Sequence, residues 1–452
     1  MSKKKKRTSP KQKRGAPKKQ EPIKQVAQKS VPPKPIWKPL PSSDQDGLYR
    51  RIFQYAALGI LLSTIILAVG TGINGDDEYQ VDYANKLVSY YTSFGEDQAA
   101  LNIEKGNMHY YGGFFDLTTG LINAAIGTDE FQPLYHQVRH VFIAIFGFLA
   151  MLFAGLMARE VAGWRAGIVV LVFMFLSPRF LGHSLMNPKD IPFAAGFAIA
   201  LYYMMVLFRT MPKPKWSTLI GLTLGMALAL ATRAGGLLLM AYLGLFAGID
   251  FLMRYGVQGL TKEVGALSKY AFYTLGTILV AYILAVLTWP AALVDPINHP
   301  LAALTEFSKL GVKIRLLFMG ENIMSDDTIW YYPLLWIGKT IPLFVLVGFL
   351  GSFALVPRFW KQYNRLPVLL LFFASLFPVA YVIYKESILH DGWRHLYFTY
   401  PSMAALACIF WVTLERLFKE NKTATYAIWG IVGLMVLESL IFICRKTRLS
   451  YV

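Results

Sequence analysis

The sequence predicts an all-α polytopic membrane protein: a bundle of about eleven transmembrane helices whose first external loop carries surface helices of its own. Two observations lead there. Of 452 residues, 55% are hydrophobic and only 16% charged, where a soluble chain carries about a quarter, and the mean hydropathy is +0.43. The apolar residues also fall in runs of about 20, the length that takes an α-helix across a hydrocarbon core about 30 Å thick.

The chain opens on a basic tail. The formal net charge is +18, but the first 38 residues hold twelve Lys and two Arg against one acid, Glu21. Rich in Lys, Pro and Gln with little to bury, residues 1–46 are expected to be disordered, leaving 47–452 as one transmembrane domain. A run such as Lys3-Lys4-Lys5-Lys6-Arg7 is also found in nucleic-acid-binding segments. Ahead of so many spans it reads instead as a cytoplasmic topology signal with attraction for anionic lipid, and no nucleic-acid partner is expected. The first apolar run, from about Phe53, is too long for the core of a cleavable signal and is expected to stay as an anchor. Cys408 and Cys444 lie in expected spans far apart in sequence and suggest no disulfide framework.

The expected spans are 53–73, 134–158, 164–181, 190–208, 217–232, 234–253, 270–290, 332–356, 366–384, 396–416 and 425–443. Alternating them from a cytoplasmic tail puts five short connections inside. These carry Arg159/Arg165, Arg209/Lys213/Lys215, Arg254/Lys262/Lys269, Arg358/Lys361/Arg365 and Lys419/Lys422, each basic as short cytoplasmic loops should be. The last span would leave Arg445, Lys446 and Arg448 outside, against that rule. Two external loops, 74–133 and 291–331, are too long to be connectors. The first collects many acids, and its segments 81–94 and 114–126 carry apolar residues at helical spacing, as membrane-surface helices would. The reading is a multi-pass protein of a bacterial inner membrane with its chemistry on the external face.

Charged residues concentrate on that face. Gly75-Asp76-Asp77-Glu78-Tyr79-Gln80 follows the first span directly. Three adjacent carboxylates there repel one another and attract a cation or a proton, although a solvated loop start would look the same. The same loop holds His109-Tyr110-Tyr111-Gly112-Gly113-Phe114-Phe115-Asp116. The connection 177–190 packs Arg179, His183, Asn187, Lys189 and Asp190 around two prolines. Six strong cations (Arg139, Arg179, Lys189, Arg233, Lys339 and Arg394) sit at the outer interface against the positive-inside trend, so they need an anion. The loop acids supply some charge; a lipid phosphate would supply the rest. Among seven histidines only His136 and His140 stand at i, i+4, with Arg139 between them. A divalent metal is therefore an option rather than a requirement, with His183 or His390 as its ligands. No other cofactor is expected.

Taken together these strings resemble the GT-C glycosyltransferases, and within them the glycosyltransferase 39 type of protein O-mannosyltransferases and aminoarabinose transferases. The resemblance is carried by Asp77-Glu78 just outside the first span and by the aromatic and acidic string ending at Asp116, which lacks the Pro-Pro often found there. It continues in Trp330-Tyr331-Tyr332-Pro333 with Lys339-Thr340-Ile341-Pro342, and in Arg394 leading to Tyr397 and Tyr400-Pro401. It covers about residues 53–400 and leaves out the tail. It implies an inverting transfer of a sugar from a polyprenyl-phosphate donor to an acceptor hydroxyl at the outer membrane face. Asp77 would be the general base with Glu78 beside it, and Asp76 is the competing register. Arg394, Lys339, Arg233, Arg139 and Lys189 would hold the donor phosphate. His109, Tyr110, Asp116, His183, Asn187 and His390 would line the acceptor or sugar side. The acceptor would be a protein, a lipid or a growing glycan. Two rivals stay open. A secondary transporter should show two related halves with matching broken helices, and no internal repeat is visible. A lipid-linked glycan polymerase or ligase would use the same donor chemistry.

Overall fold

The computed structural model describes residues 1–2, 36–103, 106–309 and 313–447. Most of the basic tail lies outside the described residues. Its last ten residues do not continue the expected disorder: they lie on the bundle. Trp37 Nε1 donates to Asp250 Oδ1 at 3.3 Å, Lys38 N donates to Asn364 Oδ1 at 2.6 Å, and Asn364 Nδ2 donates back to the Lys38 carbonyl at 3.2 Å.

The helices follow the apolar runs. They are α1 (Asp46–Val69), α2 (Asp77–Thr92), α3 (Phe114–Ile126), α4 (Pro133–Ala162), α5 (Trp164–Phe175), α6 (Pro178–Met186), α7 (Asp190–Thr210), α8 (Trp216–Leu230), α9 (Leu237–Tyr255) and α10 (Gly259–Lys262). Then come α11 (Val264–Val286), α12 (Pro290–Val294), α13 (Asn298–Lys309), α14 (Tyr332–Thr340), α15 (Leu343–Ala354), α16 (Val356–Gln362), α17 (Arg365–Tyr384), α18 (Tyr400–Leu417) and α19 (Lys422–Thr447). Between α13 and α14 a two-stranded antiparallel hairpin pairs β1 (Arg315–Phe318) with β2 (Glu321–Met324). The two surface helices expected in the first external loop are α2 and α3.

Eight helices among the described residues are long and apolar enough to cross a membrane, and ten spans result if each of two bent pairs counts as one. About eleven spans were expected, and the interruptions within them have local causes. Proline at the start of α6 cannot continue α5, so the expected span 164–181 bends by 72°. Pro342 separates α14 from α15, and α16 turns 76° away from α15. The eleventh candidate, α8, has only 15 residues.

Small residues set the packing at the centre. A Cβ on Gly196 of α7 would lie 2.6 Å from Ala229 N, and one on Gly225 of α8 2.7 Å from Ala200 N. The two backbones are thus in direct contact, as glycine-containing membrane helices allow. In α7 78% of the apolar window is buried, and 94% in the segment through α18, against 28% in α1 and 11% in α19. α7 and α18 are therefore the core, while α1 and α19 present apolar residues such as Ile66, Leu434 and Phe442 outward.

The polar residues divide between two ends, joined by α4, whose 30 residues span about 45 Å. At the far end of α4, Arg159 and Arg209 clasp Glu160, Arg165 meets Glu415 at 2.5 Å, and Arg254 Nε meets Asp250 at 2.8 Å. The near end carries the site.

Candidate active site

Four chain breaks bring the site together. After α1, Asn74 donates to the Met186 carbonyl and accepts from the Asp76 amide at 2.8 Å, which ties the Asp76-Asp77 step to the α6–α7 turn. In that turn Asn187 Oδ1 accepts from the amides of Lys189 (3.2 Å) and Asp190 (2.9 Å), satisfying N–H groups that the start of α7 leaves open. Its Nδ2 reaches Asp190 Oδ2 at 2.8 Å and His183 Nδ1 at 3.0 Å. Arg233 sits in extended backbone (φ −144°, ψ 140°) where the chain breaks between α8 and α9. Asp391 and Gly392 take φ of 54° and 75° ahead of the turn that starts at Arg394. A Cβ at 392 would lie 2.7 Å from Arg179 Nη2, so this left-handed position calls for glycine on two counts.

The Gly112-Gly113 pair has a similar cause. A Cβ on Gly112 would lie 2.2 Å from the Ala231 carbonyl, and one on Gly113 2.5 Å from the Thr288 carbonyl. The Gly113 amide donates to Thr288 O at 3.1 Å and the Phe114 amide to Ala231 O at 3.2 Å. The loop between α2 and α3 is thereby sewn to the ends of α8 and α11, and Tyr111 is set beside two cations. Lys189 Nζ lies 4.7 Å and Arg233 Cζ 5.6 Å from its ring centre.

Arg394 and Asp190 form the hub. Arg394 Nη1 is 2.7 Å from Asp76 Oδ2 and 4.0 Å from Asp190 Oδ2, and Nη2 is 3.2 Å from Asp391 Oδ2. Asp190 Oδ1 accepts from Arg233 Nη1 at 2.5 Å. Arg394 Nη2 also donates to His390 Nε2 at 2.9 Å, which requires a neutral ring protonated on Nδ1. Burial and then the Arg394 charge hold His390 below its ordinary value, in agreement. Two buried donors at the hub, Arg394 Nε and His390 Nδ1, have no partner among the described residues. Arg179 stands alongside: its Nε donates to the Tyr397 hydroxyl at 2.7 Å and its Nη2 to the Asp391 carbonyl at 3.0 Å.

The adjacent carboxylates Asp76 and Asp77 have different surroundings. The Asp76 side chain is 35% exposed and faces the hub. Burial would raise its carboxyl, but the Lys189 and Arg394 charges outweigh burial and hold it below the usual value. Asp77 is only 4% exposed; its Oδ2 is 2.8 Å from His136 Nδ1 and its Oδ1 is 3.7 Å from Arg139 Nε. Arg139 in turn donates to Asp116 at 2.8 Å and to Thr119 at 3.1 Å. Burial pushes the Asp116 carboxyl up despite that neighbour. With its amide oriented to satisfy both neighbours, Gln80 donates to Asp116 at 3.0 Å and accepts from Lys189 at 3.1 Å, joining this inner layer to the hub.

Other expected residues lie apart. Glu78 is exposed and forms no ion pair among the described residues. Lys339 is exposed on α14 and makes no hydrogen bond or ion pair among the described residues. His109 and Tyr110 belong to a neighbouring aromatic cluster, where Tyr110 stacks on His299 at 5.3 Å and the His109 carbonyl accepts from Trp289 and His299. Among the described residues no three His, Cys, Asp or Glu side chains are grouped to hold a metal ion. His183 and His390 turn instead to Asn187 and Arg394.

A cavity of about 430 Å³ opens from the hub. Tyr111, Arg233, His390 and His395 line its polar end. Apolar side chains of α9 and α17, including Leu237, Leu238, Phe377 and Val382, line the rest.

No family model matches the sequence, and a search of curated proteins finds no significant match. Solved structures do match by shape. ArnT from Cupriavidus metallidurans bound to undecaprenyl phosphate superposes with a TM-score of 0.53 at 13% identity, over 89% of this chain and 71% of that one. The oligosaccharyltransferase AglB from Archaeoglobus fulgidus, in complex with an inhibitory peptide and a dolichol-phosphate, gives 0.56 at 14% identity, over 88% and 55%. The apo form of the A. fulgidus enzyme gives 0.55 at 14% identity, over 87% and 54%. This chain thus spans about seven tenths of ArnT and just over half of the oligosaccharyltransferase. On this evidence the chain shares the fold of ArnT and of the A. fulgidus oligosaccharyltransferase.

Proposed function

We propose that the protein is a membrane glycosyltransferase that takes a sugar from a polyprenyl-phosphate donor and passes it to an acceptor hydroxyl. The observation that carries this reading is the cavity: a long apolar wall that ends on Arg233, His390 and the Arg394 hub. An isoprenoid chain with an anionic head has the matching distribution of apolar surface and charge. ArnT with undecaprenyl phosphate and AglB with a dolichol-phosphate share the fold.

In this reading Arg394 and Arg233 bind the donor phosphate, and Lys189 adds a compact charge. The unpartnered Nε of Arg394 offers a further donor to a phosphate oxygen. Phosphate binding draws Arg394 away from Asp76. The acceptor oxygen attacks the anomeric carbon as Asp76 takes its proton; the bond from that carbon to the phosphate oxygen breaks, and the electron pair leaves with the phosphate. Attack opposite the leaving group inverts the anomeric centre. Cations fixed in advance stabilise the leaving charge, as electrostatic catalysis requires. Asp76 takes this role in preference to Asp77 because it faces both the hub and solvent, whereas both Asp77 oxygens already have partners. Asp77, Arg139 and Asp116 position the segment behind it. The acceptor, a hydroxyl of a protein, a lipid or a glycan, approaches from the exposed side of Asp76, on the external face of a bacterial inner membrane.

The test is incubation of the purified protein with a panel of polyprenyl-phosphate sugars, following free polyprenyl phosphate. Release is expected from wild type and not from Asp76→Asn. Equal release from both would remove Asp76 from the mechanism. Undecaprenyl phosphate binding unaffected by Arg394→Ala would remove the cavity from it.

A further inference from the structure

A second group of cations lies at the other end of the bundle. α17 runs from Arg365 to Tyr384, whose neighbour Tyr381 lines the cavity at the Arg394 hub. Its 20 residues separate the two places by about 30 Å. At the Arg365 end, α16 bends 76° from α15, and the tail segment crosses the bend. Lys38 is clamped there through both main-chain bonds to Asn364, and its Nζ donates to the Lys361 carbonyl. These pieces border an open recess of about 470 Å³ lined by Lys38, Lys361, Arg365, Trp360, Val356 and Pro357.

Its charge is one-sided. Three of the six lining residues are cations and none is an acid. Among the described residues none of the three forms an ion pair, whereas Arg159, Arg165, Arg209 and Arg254 at the same end each do. Three cations around one open recess, none with an acid among the described residues, repel one another and attract an anion. The remaining walls are apolar and include a tryptophan, the side chain favoured at membrane interfaces.

We propose that this pocket binds the headgroup of an anionic phospholipid. The phosphate meets Lys38, Lys361 and Arg365, while the glycerol and upper acyl carbons lie on Trp360, Val356 and Pro357. Basic recesses between membrane helices serve such headgroups, and a free phosphate ion would leave the apolar half of this one unused. Because Lys38 belongs to the tail segment, a lipid bound here also fastens that segment to the α16–α17 corner. The site is separate from the transfer chemistry and does not depend on it.

Native mass spectrometry of the full-length protein in neutral detergent tests this, with dioleoylphosphatidylglycerol, dioleoylphosphatidylcholine or inorganic phosphate added. One phosphatidylglycerol should stay bound, with thermal unfolding shifted upward; phosphatidylcholine and phosphate should do neither. Lys361→Gln with Arg365→Gln should retain phosphatidylglycerol roughly a hundredfold less well, having lost two charged hydrogen bonds, while its unfolding temperature in phosphatidylcholine stays at the wild-type value. If that double variant does not fold, Lys38→Gln, on the exposed strap, gives the same readout. Undiminished retention in the variant, equal retention of phosphatidylcholine, or an equal shift with inorganic phosphate would each overturn the proposal.

Discussion

At the scale of single residues, the site turns on which of two adjacent aspartates faces the cations. Asp76→Asn is expected to abolish transfer at near wild-type thermal stability, because its carboxylate is part-exposed and, among the described residues, forms an ion pair only with Arg394. Asp77→Asn should instead lower the unfolding temperature, since it disturbs a buried group held by His136 and Arg139. Measuring turnover and unfolding for both variants separates the roles; full turnover in Asp76→Asn with none in a stable Asp77→Asn would reverse them. The sequence showed three consecutive carboxylates at a membrane exit but not their register, because neighbouring residues at a helix start point in different directions and only tertiary partners choose between them. Lys339 shows the opposite limit: it stands in a well-matched string yet is exposed on α14, so Lys339→Ala should leave donor affinity unchanged. Arg394→Ala should weaken donor binding about ten- to a hundredfold, the equivalent of ~1.5–3 kcal/mol for a charged hydrogen bond, with Arg394→Lys recovering part. The pH profile gives a second check. Burial raises the Asp76 carboxyl, and Lys189 and Arg394 more than offset it. A carboxyl held low stays ionised until the pH falls through its lowered value, so the acid limb of kcat/KM for wild type should lie below the usual carboxylate range. Arg394→Gln leaves burial in place and removes one of the two compensating charges, so the limb should move to higher pH. No movement would detach Asp76 from that limb.

At the scale of elements, the chain breaks matter more than the helices. Asp190 begins α7, Arg233 sits between α8 and α9, Arg394 follows a left-handed turn, and Asp76 precedes α2. Helix periodicity shows where spans run, and the α2 and α3 surface helices were legible from it. It does not show that Ser177-Pro178 ends a helix by bending it, or that Asn187 closes the first turn of α7. Asp190, the acid that gathers two arginines, was visible only as one letter of a crowded polar string. Asp391 and Gln80 carried no signal, because the role of Gln80 comes from partners at least 36 residues away and that of Asp391 from backbone φ; His136 showed only as half of an i, i+4 histidine pair, whereas its acid partner Asp77 is 59 residues away. The Gly112-Gly113 pair shows in the sequence as part of a motif but not why glycine is needed there. Its reason is contact: Gly112→Val would drive side-chain atoms into the Ala231 carbonyl. Overpacking of this kind costs about 1–3 kcal/mol, and here it would also lift Tyr111 away from Lys189 and Arg233. Reduced donor affinity together with a lower unfolding temperature is expected. A wild-type donor affinity in Gly112→Val would show that Tyr111 does not organise the cations.

At the scale of the whole molecule, charge separates the two ends: Asp, Arg and His around the cavity at one, Arg–Glu and Arg–Asp clasps at the other. That division was legible from the basic short connections and the acidic first loop, since both follow from where charge is tolerated near a membrane. The boundary of the tail was not, because composition sees a Lys- and Pro-rich segment up to Trp37 and beyond, whereas packing sees an indole against the core. Two truncations locate the boundary. Removing residues 1–35 should leave both unfolding temperature and turnover unchanged, since no described contact is lost. Removing residues 1–45 deletes the Trp37 bond to Asp250 and both Lys38 bonds to Asn364. At about 0.5–1.5 kcal/mol per hydrogen bond, three bonds contribute about 1.5–4.5 kcal/mol. Asp250 keeps Arg254 at 2.8 Å and Tyr270, so no carboxylate is left buried alone, and the lost packing of the Trp37 indole adds to that range. Turnover per folded molecule should not change in either truncation, because the tail meets the bundle at the end of α17 remote from the cavity. The measurement is thermal unfolding beside specific activity for both forms. A destabilised 1–35 deletion would place structural contacts in the tail before residue 36, and lost turnover in a fully folded 1–45 deletion would mean that the two ends are coupled through α17.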